Sequence, residues 1–286
     1  MKAISLYSVI PVRAEASEGA EQNTQILFGE TFDVLEEKDR WNRVKLHPDG
    51  QEGWVDAKMV TPMSPAEYKS YHEAYIGSSA IVAMPMAYAV SENNGQTIPL
   101  TAGTRLAKYT ITSPQPSPQG REIKIGRFEV LGVGFRIDPG MVIAKSLDLN
   151  EQNLLQAVRF FLNIPYLWGG KNAMGMDCSG FTQVVMSLFG KELKRNASEQ
   201  ATQGRKISDL KHVKAGDLVF FDKPHAASAE AEKEVHISHV GIAIDSERVI
   251  HCSGRVKVEK LDSNGIFNAE TGSYSHHLVA IRRVER

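Results

Sequence analysis

The pattern of apolar and polar positions along the chain changes near residue 148. Before that point, short runs typical of strands dominate, and turn residues such as Asp39 and Gly50 separate some of them. The runs lie at 4–12, 26–28, 31–35, 43–46 and 52–55. Five short strands within about 60 residues predict a small barrel rather than a sheet with crossover helices.

A connecting helix is predicted after this barrel, over 63–75. Ser64 can cap its first turn, Pro65 suits the first helical position, and Glu67 completes a capping-box pattern. The segment that follows is again rich in strand patterns, although less regular, and contains a proline-rich loop at 112–120. The expected domains are a first small β domain at 1–62, a helical linker at 63–78 and a second β domain at 79–147.

From residue 148 onward, helices precede strands. Apolar residues at helical spacing predict one helix that begins near Asp148 and is stopped by Pro165. A second amphipathic helix is predicted from about Asp177 to Gly190, where glycine suits the C-terminal cap. Five strands follow, at 217–221, 240–244, 248–251, 256–260 and 277–284. Helices followed by an antiparallel meander predict an α+β domain at 148–286.

The composition is that of an ordinary folded protein. The chain has 286 residues, of which 42% are hydrophobic and 23% charged, and its net charge is -1. The length suggests about two domains, and no large charged field predicts a nucleic acid or a membrane as partner. Only two cysteines are present, which excludes a disulfide scaffold.

The expected location follows from the absence of membrane and export signals. No run has the roughly 18 apolar residues of a spanning helix, and the N-terminal residues lack the apolar core of a secretory signal. We expect a cytoplasmic protein on this basis. A chain shortened at its N-terminus would look the same, so a periplasmic location stays open, as does the oligomeric state.

Cys178 is the sharpest candidate for chemistry. It stands where a glycine-rich loop at 169–175 gives way to the second amphipathic helix. A thiol at a helix N-terminus faces unpaired N–H groups and the positive end of the helix dipole, which favour the nucleophilic thiolate. The alternative is a small buried residue at a helix start, since free cysteine is usually buried and inert.

His239 and His251 are candidates for the base that this nucleophile needs. They lie on consecutive predicted strands joined by the turn 245–247. If that loop has three residues, position 244 pairs with 248, and both histidines lie on one face as diagonal neighbours. One imidazole could then accept the cysteine proton while the other orients it. The same register places Cys252 on the opposite face, in the core and not bonded to Cys178.

A zinc cluster is the alternative interpretation of these histidines. His236 lies close in sequence to His239 and His251, but only one thiolate and no suitably placed carboxylate accompany them, which disfavours zinc. The other histidines, among them His225 and His276, are interpreted as ordinary core or surface residues. No metal or organic cofactor is expected.

Four stretches in the second half of the chain resemble the NlpC/P60 cysteine peptidases. They are YLWGG at 166–170, DCSGF at 177–181, HVGI at 239–242 and VIH at 249–251. Their order and spacing are highly specific, and the resemblance covers about residues 148–286. It implies a papain-like α+β domain in which Cys178 is the nucleophile, His239 the base and His251 the polar third member of a triad.

The first 60 residues resemble a bacterial SH3 domain. The matching stretches are VRA at 12–14, GE at 29–30, WNRV at 41–44 and GWV at 53–55. Two small SH3-like β-barrel domains before an NlpC/P60 domain resemble the γ-D-glutamyl-L-diamino acid dipeptidyl-peptidases, which act on cell-wall peptides. In that family, the first SH3-like domain closes one end of the active site.

The same resemblance implies a set of substrate-binding residues. Trp168, Asp177 and Ser179 match positions that line the family's pocket, although helix capping and core packing would explain the same residues. Glu21 is the candidate for the acidic group that holds the free amine of an N-terminal L-Ala. A solvated surface glutamate is the alternative for Glu21.

Two departures from the family pattern concern this pocket. Close relatives usually carry Asp-Ser after the arginine at position 195, whereas this chain has Asn196 and Ala197. Relatives often have Gly-Tyr where this chain has Gly50 and Gln51. The three triad candidates are unaffected, so the departures bear on the strictness of substrate choice and not on the type of reaction.

The expected function is that of a cysteine peptidase on murein-derived peptides. It would cleave the bond between the γ-carboxyl of D-Glu and a diamino acid in peptides with a free N-terminal L-Ala, a role in cell-wall peptide recycling. The alternatives are a thiol amidase or acyltransferase on another acyl substrate, and an SH3-decorated protein that binds cell-wall peptides. Which diamino acid is preferred is left open.

Overall fold

The computed structural model describes residues 1–113, 124–222 and 236–285. Two compact units make up the chain, Met1–Leu147 and Asp148–Arg286. The predicted proline-rich loop at 112–120 lies largely outside the described residues, as does His225. No helix within the described residues is long and apolar enough to cross a membrane.

Short antiparallel strands dominate the first unit. They are β1 (Lys2–Ile4), β2 (Val9–Arg13), β3 (Gln22–Leu27), β4 (Thr31–Lys38), β5 (Trp41–Leu46), β6 (Glu52–Asp56), β7 (Thr61–Pro62), β8 (Ile81–Val82), β9 (Met86–Ser91), β10 (Thr97–Thr101), β11 (Thr110–Thr112), β12 (Ile125–Val130), β13 (Val133–Ile137) and β14 (Val142–Ile143). Helix α1 (Pro65–Ile76) and the 3₁₀ turns Ala57–Met59 and Pro139–Met141 connect them.

The first seven strands form one sheet in the order β3-β2-β6-β5-β4-β1-β7. The sequence predicted one strand over 4–12, but two are present because Ser5 interrupts the run. The Ser5 N–H donates to the Glu30 carbonyl (3.0 Å), and its hydroxyl donates to the Tyr7 carbonyl (3.0 Å). Alternate apolar residues of the sheet form a buried core that includes Ile10, Val12, Ile26, Phe32, Val44 and Val55.

Helix α1 begins as predicted. The Glu67 N–H donates to Ser64 Oγ (3.2 Å), and the Ser64 N–H donates to the Glu67 carboxylate (2.8 Å), which together make a capping box. Tyr71 and Tyr75 are the buried residues of the helix. The Tyr71 hydroxyl donates to the Gly29 carbonyl (2.9 Å), which ties the helix to the chain just after β3.

The second β segment forms a five-stranded sheet in the order β10-β9-β13-β12-β11, and β14 pairs with β8. This sheet shares a core with the first. Phe28 packs edge-on against Phe128 and Phe135, with ring centroids 6.4 and 5.6 Å apart. The same buried cluster contains Tyr71 and Tyr75 of α1, so the helix contributes to the core that the two β segments share.

The second unit begins with helices and ends in a large sheet. Its helices are α2 (Glu151–Val158), α3 (Cys178–Ser187) and α4 (Ala197–Gln200), with a 3₁₀ turn at Leu210–His212. Its strands are β15 (Lys171–Asn172), β16 (Gly175–Met176), β17 (Arg205–Lys206), β18 (Leu218–Asp222), β19 (His239–Ala243), β20 (Arg248–Ser253), β21 (Arg255–Asp262), β22 (Gly265–Asn268) and β23 (Ser273–Arg283). Helix α2 starts later than the sequence suggested, because the side chain of Asn150 caps it by accepting from the Asn153 N–H (2.9 Å).

The large sheet closes on itself. Its order is β17-β23-β18-β19-β20-β21-β22, and β22 also pairs with β23, so β18 to β23 form an antiparallel ring. Strand β22 was not predicted, and it is the strand that completes the closure. Alternate residues of the ring belong to one buried apolar cluster that includes Val219, Phe221, Ala243, Val249, Leu261, Ile266 and Ile281. Helix α3 contacts β19 and β20.

Candidate active site

Cys178 is the first residue of α3 and follows β16 closely. Asp177 is the N-cap, and the Gly180 N–H donates to its Oδ1 (2.7 Å). Gly180 is required because a Cβ atom there would collide with the carbonyl of Gly170. The position of Cys178 at a helix N-terminus is therefore as predicted, and close backbone packing holds the preceding loop against the helix.

Asp177 also lies at the centre of a buried ion pair. Arg195 is 1% exposed, and its guanidinium donates to Asp177 Oδ1 (3.0 Å) and Oδ2 (2.6 Å). The same guanidinium donates to Ser179 Oγ (2.9 Å), and the Gly169 N–H donates to Asp177 Oδ2 (2.9 Å). Both carboxylate oxygens thus have partners within the second unit, and the network fixes the loop to the first turn of α3.

His239 opens β19, and His251 lies in β20. The strand pairing Gly241↔His251 is the register predicted for a three-residue loop, so the two histidines are diagonal neighbours on one face. His239 Nε2 and His251 Nδ1 are 2.8 Å apart, with the rings 86° from parallel. A Cβ atom at position 241 would lie 3.0 Å from the His251 Cβ, so glycine leaves room for the imidazole.

Two side chains that the sequence did not indicate as site residues adjoin this pair. Glu259 Oε2 lies 2.8 Å from His251 Nε2, and their side chains are 11% and 0% exposed. His276 stacks on His239 with ring centroids 4.2 Å apart. The pairing His251↔Lys257 could have revealed Glu259, because residues two apart in a strand share a face and Glu259 therefore lies on the same face as His251. Nothing local could reveal His276, whose strand β23 is distant in sequence from β19.

The Cys178 thiol lies in a protected environment. The residue is 7% exposed, and the backbone N–H groups of Val240 and Ser179 donate toward its sulfur. Burial, and after it the charge of Asp177, raise the pKa of the thiol to about 11 in spite of these donors. The expectation that a helix N-terminus alone favours a thiolate is wrong here, because desolvation outweighs it. A thiolate at this position needs a nearby proton acceptor, and Val240 directly follows His239.

Tyr166 and Cys252 are further titratable groups near Cys178. Burial, followed by the charges of Cys178 and Asp177, raises the pKa of the Tyr166 phenol, so this phenol is a neighbour of the thiol. Cys252 is fully buried, and its Sγ donates to the Met176 carbonyl (3.1 Å). Both cysteines are free. The prediction of Cys252 as a core residue without a disulfide is confirmed.

The remaining predicted substrate residues are exposed. Trp168 of the second unit is 60% exposed. Glu21 belongs to the first unit, immediately before β3, with an exposed side chain and a main-chain carbonyl that accepts from the Ala14 N–H (2.8 Å). Gln51 lies in the turn before β6, where its N–H donates to Asp49 Oδ1 (3.0 Å). These surroundings leave the side chains of Trp168 and Glu21 accessible to a ligand.

The two departures after Arg195 have structural roles. Asn196 is the N-cap of α4 in a capping box with Glu199, whose carboxylate accepts from the Asn196 N–H (3.2 Å). Ala197 is buried in the first turn of the same helix. Asn196 and Ala197 therefore both belong to the first turn of α4 and its cap.

The three histidines of the zinc alternative have unequal surroundings. His236 is exposed, whereas His239 and His251 are buried and bonded to each other. Across residues 1–113, 124–222 and 236–285, no group of three or more His, Cys, Asp or Glu side chains has the arrangement of a metal site.

Comparisons with known proteins agree with this geometry. The family model described as NlpC/P60 family matches residues 163–279, which include α3 and both strands that carry the paired histidines. The chain is a cysteine peptidase with an NlpC/P60 catalytic domain. The model described as bacterial dipeptidyl-peptidase SH3 domain matches residues 12–59, so an SH3 domain precedes the peptidase domain.

Relatives of the peptidase extend over both domains. A protein named Gamma-D-glutamyl-L-lysine dipeptidyl-peptidase from Bacillus subtilis (strain 168) is 28% identical over 91% of this chain and 80% of its own length. A protein of the same name from Bacillus cereus is 26% identical over 80% of this chain and 66% of its own. A crystal structure of an NlpC/P60 family protein from Bacillus cereus, 19% identical, superposes over 99% of both chains with a TM-score of 0.76. The predicted α+β fold with an SH3-like N-terminal domain is confirmed.

The buried ion pair makes a prediction about stability. Asp177→Ala removes the helix cap and both hydrogen bonds from the buried Arg195 guanidinium to this carboxylate, which should lower the free energy of unfolding by about 3–5 kcal/mol. Glu285→Ala removes the partner of Arg205 in an exposed pair (3.0 Å) and should have no measurable effect. Urea denaturation of both variants provides the measurement. Equal stabilities would show that the network around Asp177 is not structural.

The thiol environment makes a second prediction. If His239 is the proton acceptor of the Cys178 thiol, the rate of alkylation by iodoacetamide in His239→Ala should rise only well above pH 9, toward the raised pKa of about 11. The unaltered peptidase should react faster near neutral pH, because the proton can move to the imidazole. Peptide mapping by mass spectrometry separates Cys178 from Cys252. Identical pH profiles for the two proteins would contradict the pairing of thiol and imidazole.

Proposed function

We propose that this peptidase hydrolyses the bond between the γ-carboxyl of D-Glu and a diamino acid in murein-derived peptides with a free N-terminal L-Ala, and that it serves cell-wall peptide recycling. The observation that carries the proposal is the similarity to a γ-D-glutamyl-L-lysine dipeptidyl-peptidase over 91% of the chain. That similarity includes the SH3 domain as well as the catalytic domain, and a general thiol hydrolase would need only the latter.

The proposed nucleophile is Cys178 and the proposed base is His239. As the sulfur attacks the γ-carbonyl carbon, its proton passes to the imidazole, and the oxyanion that forms accepts hydrogen bonds from N–H groups at the start of α3. Collapse of this intermediate breaks the C–N bond, and the imidazolium protonates the departing amine. The thioester is then hydrolysed by a water molecule that gives its proton to His239, releasing L-Ala-γ-D-Glu and restoring the thiol.

The third proposed member of the triad is His251. Its hydrogen bond to His239 (2.8 Å) holds the base in one orientation and stabilises the imidazolium that forms during attack. Because the raised pKa of the thiol disfavours a preformed thiolate, the reaction depends on this base more than a peptidase with an acidic thiol would.

Recognition of the free amine is the second part of the proposal. A dipeptidyl-peptidase needs a counter-charge for the substrate's N-terminal ammonium. Asp177 and Ser179 are already bonded to Arg195, so they would act as part of a neutral hydrogen-bonding group. Glu21, exposed on the SH3 domain, is the proposed free carboxylate, and the exposed indole of Trp168 is the proposed apolar wall.

A comparison of free and capped peptides tests the proposal. L-Ala-γ-D-Glu-L-Lys should be cut to L-Ala-γ-D-Glu and lysine, as followed by mass spectrometry. Removing one partner of a partly desolvated ammonium–carboxylate contact costs about 2–5 kcal/mol. Acetylation of the L-Ala amine should therefore lower kcat/KM by about 30-fold or more.

Two variants serve as controls for this comparison. Cys178→Ala should bind but not cleave either peptide, which excludes a contaminating hydrolase. Cys252→Ser should keep the preference for the free amine, because Cys252 is a core residue. Similar cleavage of free and acetylated peptides would overturn the dipeptidyl-peptidase assignment, and binding without cleavage would favour a peptide-binding protein.

A further inference from the structure

A continuous chain of hydrogen bonds runs from the proposed base to a carboxylate. His239 Nε2 lies 2.8 Å from His251 Nδ1, and His251 Nε2 lies 2.8 Å from Glu259 Oε2. The three residues come from the adjacent strands β19, β20 and β21. The inner imidazole is fully buried, so water cannot replace either of its partners.

The Glu259 carboxylate determines which ring nitrogens of His251 and His239 carry a proton. Although burial opposes it, the hydrogen bond from His251 is the largest of the effects that hold the pKa of Glu259 below its ordinary value, so the group is an anion that only accepts. Burial lowers the pKa of His251, which therefore carries one proton, and that proton must lie on Nε2. Its Nδ1 is then an acceptor, which requires that His239 donate from Nε2.

The remaining nitrogen of the base follows from this order. With its proton on Nε2, His239 has an unprotonated Nδ1, and an unprotonated ring nitrogen can accept a proton from a thiol. If the inner imidazole took the opposite tautomer, its Nδ1–H would force the lone pair of His239 onto Nε2 and leave Nδ1 protonated. The base would then be blocked toward the thiol.

We infer that Glu259 is a positioning residue of this peptidase: through His251, it sets the tautomer of His239 in which Nδ1 is unprotonated and can accept the Cys178 proton. The inference rests on the proposed roles of Cys178 and His239. It adds a fourth member, on a third strand, to a site whose triad ends at His251. The carboxylate also supplies a negative charge behind the pair when the outer imidazole becomes protonated.

The surroundings of the pair distinguish this role from that of an ordinary ion pair. Lys257 Nζ also contacts Glu259 Oε2 (3.0 Å), so the alternative role of the carboxylate is an ion pair with this lysine alone. The side chain of Glu259 is nevertheless only 11% exposed and faces the buried imidazole. Among the described residues, Glu259 and Lys257 face His251, and the ring of His276 stacks on His239 and lies 5.9 Å from His251. Cys178 is the proposed proton donor to His239.

Three variants separate these two roles of the carboxylate. Glu259→Gln keeps the shape and one acceptor but removes the charge. Glu259→Leu removes both. Lys257→Met removes only the competing partner and is the matched control. Far-UV circular dichroism checks that each is folded, and the isosteric glutamine variant keeps the test informative if the leucine variant is not.

The measurements include one that needs no substrate. Histidine labelled with ¹⁵N in the full chain reports which ring nitrogens carry protons. Alkylation of Cys178 by iodoacetamide at pH 7 reports how readily the thiol loses its proton, and hydrolysis of L-Ala-γ-D-Glu-L-Lys reports kcat and KM.

The expected result is protonation at Nε2 of both His239 and His251 in the unaltered protein, and mixed tautomers in Glu259→Leu. Alkylation and kcat should fall together, by about 10-fold in Glu259→Gln and about 100-fold in Glu259→Leu, with little change in KM. Lys257→Met should stay close to the unaltered protein in every measurement.

Three results would overturn the inference. One is a proton on Nδ1 of His251 in the unaltered protein. Another is a Glu259→Leu variant that is alkylated at the normal rate, and the third is a loss in Lys257→Met as large as in Glu259→Leu. If the peptide is not cleaved at all but tautomers and alkylation respond to Glu259→Leu as expected, the positioning role stands and the proposed substrate is wrong.

Discussion

Burial of the Cys178 thiol is the constraint on which the rest of the site depends. The residue is almost fully enclosed, and the neighbouring Asp177 carboxylate opposes a second negative charge. Two backbone N–H groups soften this penalty but do not remove it. In the proposed mechanism, attack by sulfur therefore requires that the proton leave as the bond forms, and His239 is the proposed acceptor of that proton.

The closed sheet positions the paired histidines, and the buried ion pair positions Cys178. Strands β19, β20 and β21 present His239, His251 and Glu259 on one face in fixed register, so the acceptor side is built from strand pairing alone. The nucleophile side depends on Arg195, which reaches Asp177 from the segment before α4 and clamps the start of α3. In the proposed thioester mechanism, this arrangement would keep the geometry between Cys178 and His239 constant through both steps.

Sequence patterns were sufficient where the information was local. The capping box of α1, the helix that starts at Cys178 and the three-residue turn after β19 are all specified by neighbouring residues. The length of that turn is enough to predict that His239 and His251 lie side by side, because it sets the register of the two strands. Extending the same alternation to the next strand would have found Glu259, since the pairing His251↔Lys257 leaves Glu259 on the histidine face.

Sequence patterns did not predict contacts between residues far apart in the chain, nor the effect of burial on the thiol of Cys178. Arg195 lies 18 residues from Asp177 on a segment with no regular period. His276 reaches the site because β23 pairs with β18, which in turn pairs with β19. A helix terminus alone predicts a lowered pKa for the Cys178 thiol, which is wrong because burial raises that pKa. The burial of a side chain depends on the whole fold.

The most direct test of the nucleophile is to trap the thioester. The γ-p-nitrophenyl ester of L-Ala-D-Glu has a good leaving group, so acylation should outrun hydrolysis and the acyl-enzyme should accumulate. After an acid quench, mass spectrometry of proteolytic fragments should find the L-Ala-γ-D-Glu acyl group on the fragment that contains Cys178. Release of p-nitrophenol with no adduct, or with the adduct on Cys252, would contradict a mechanism in which the buried thiol of Cys178 gives its proton to His239 and attacks.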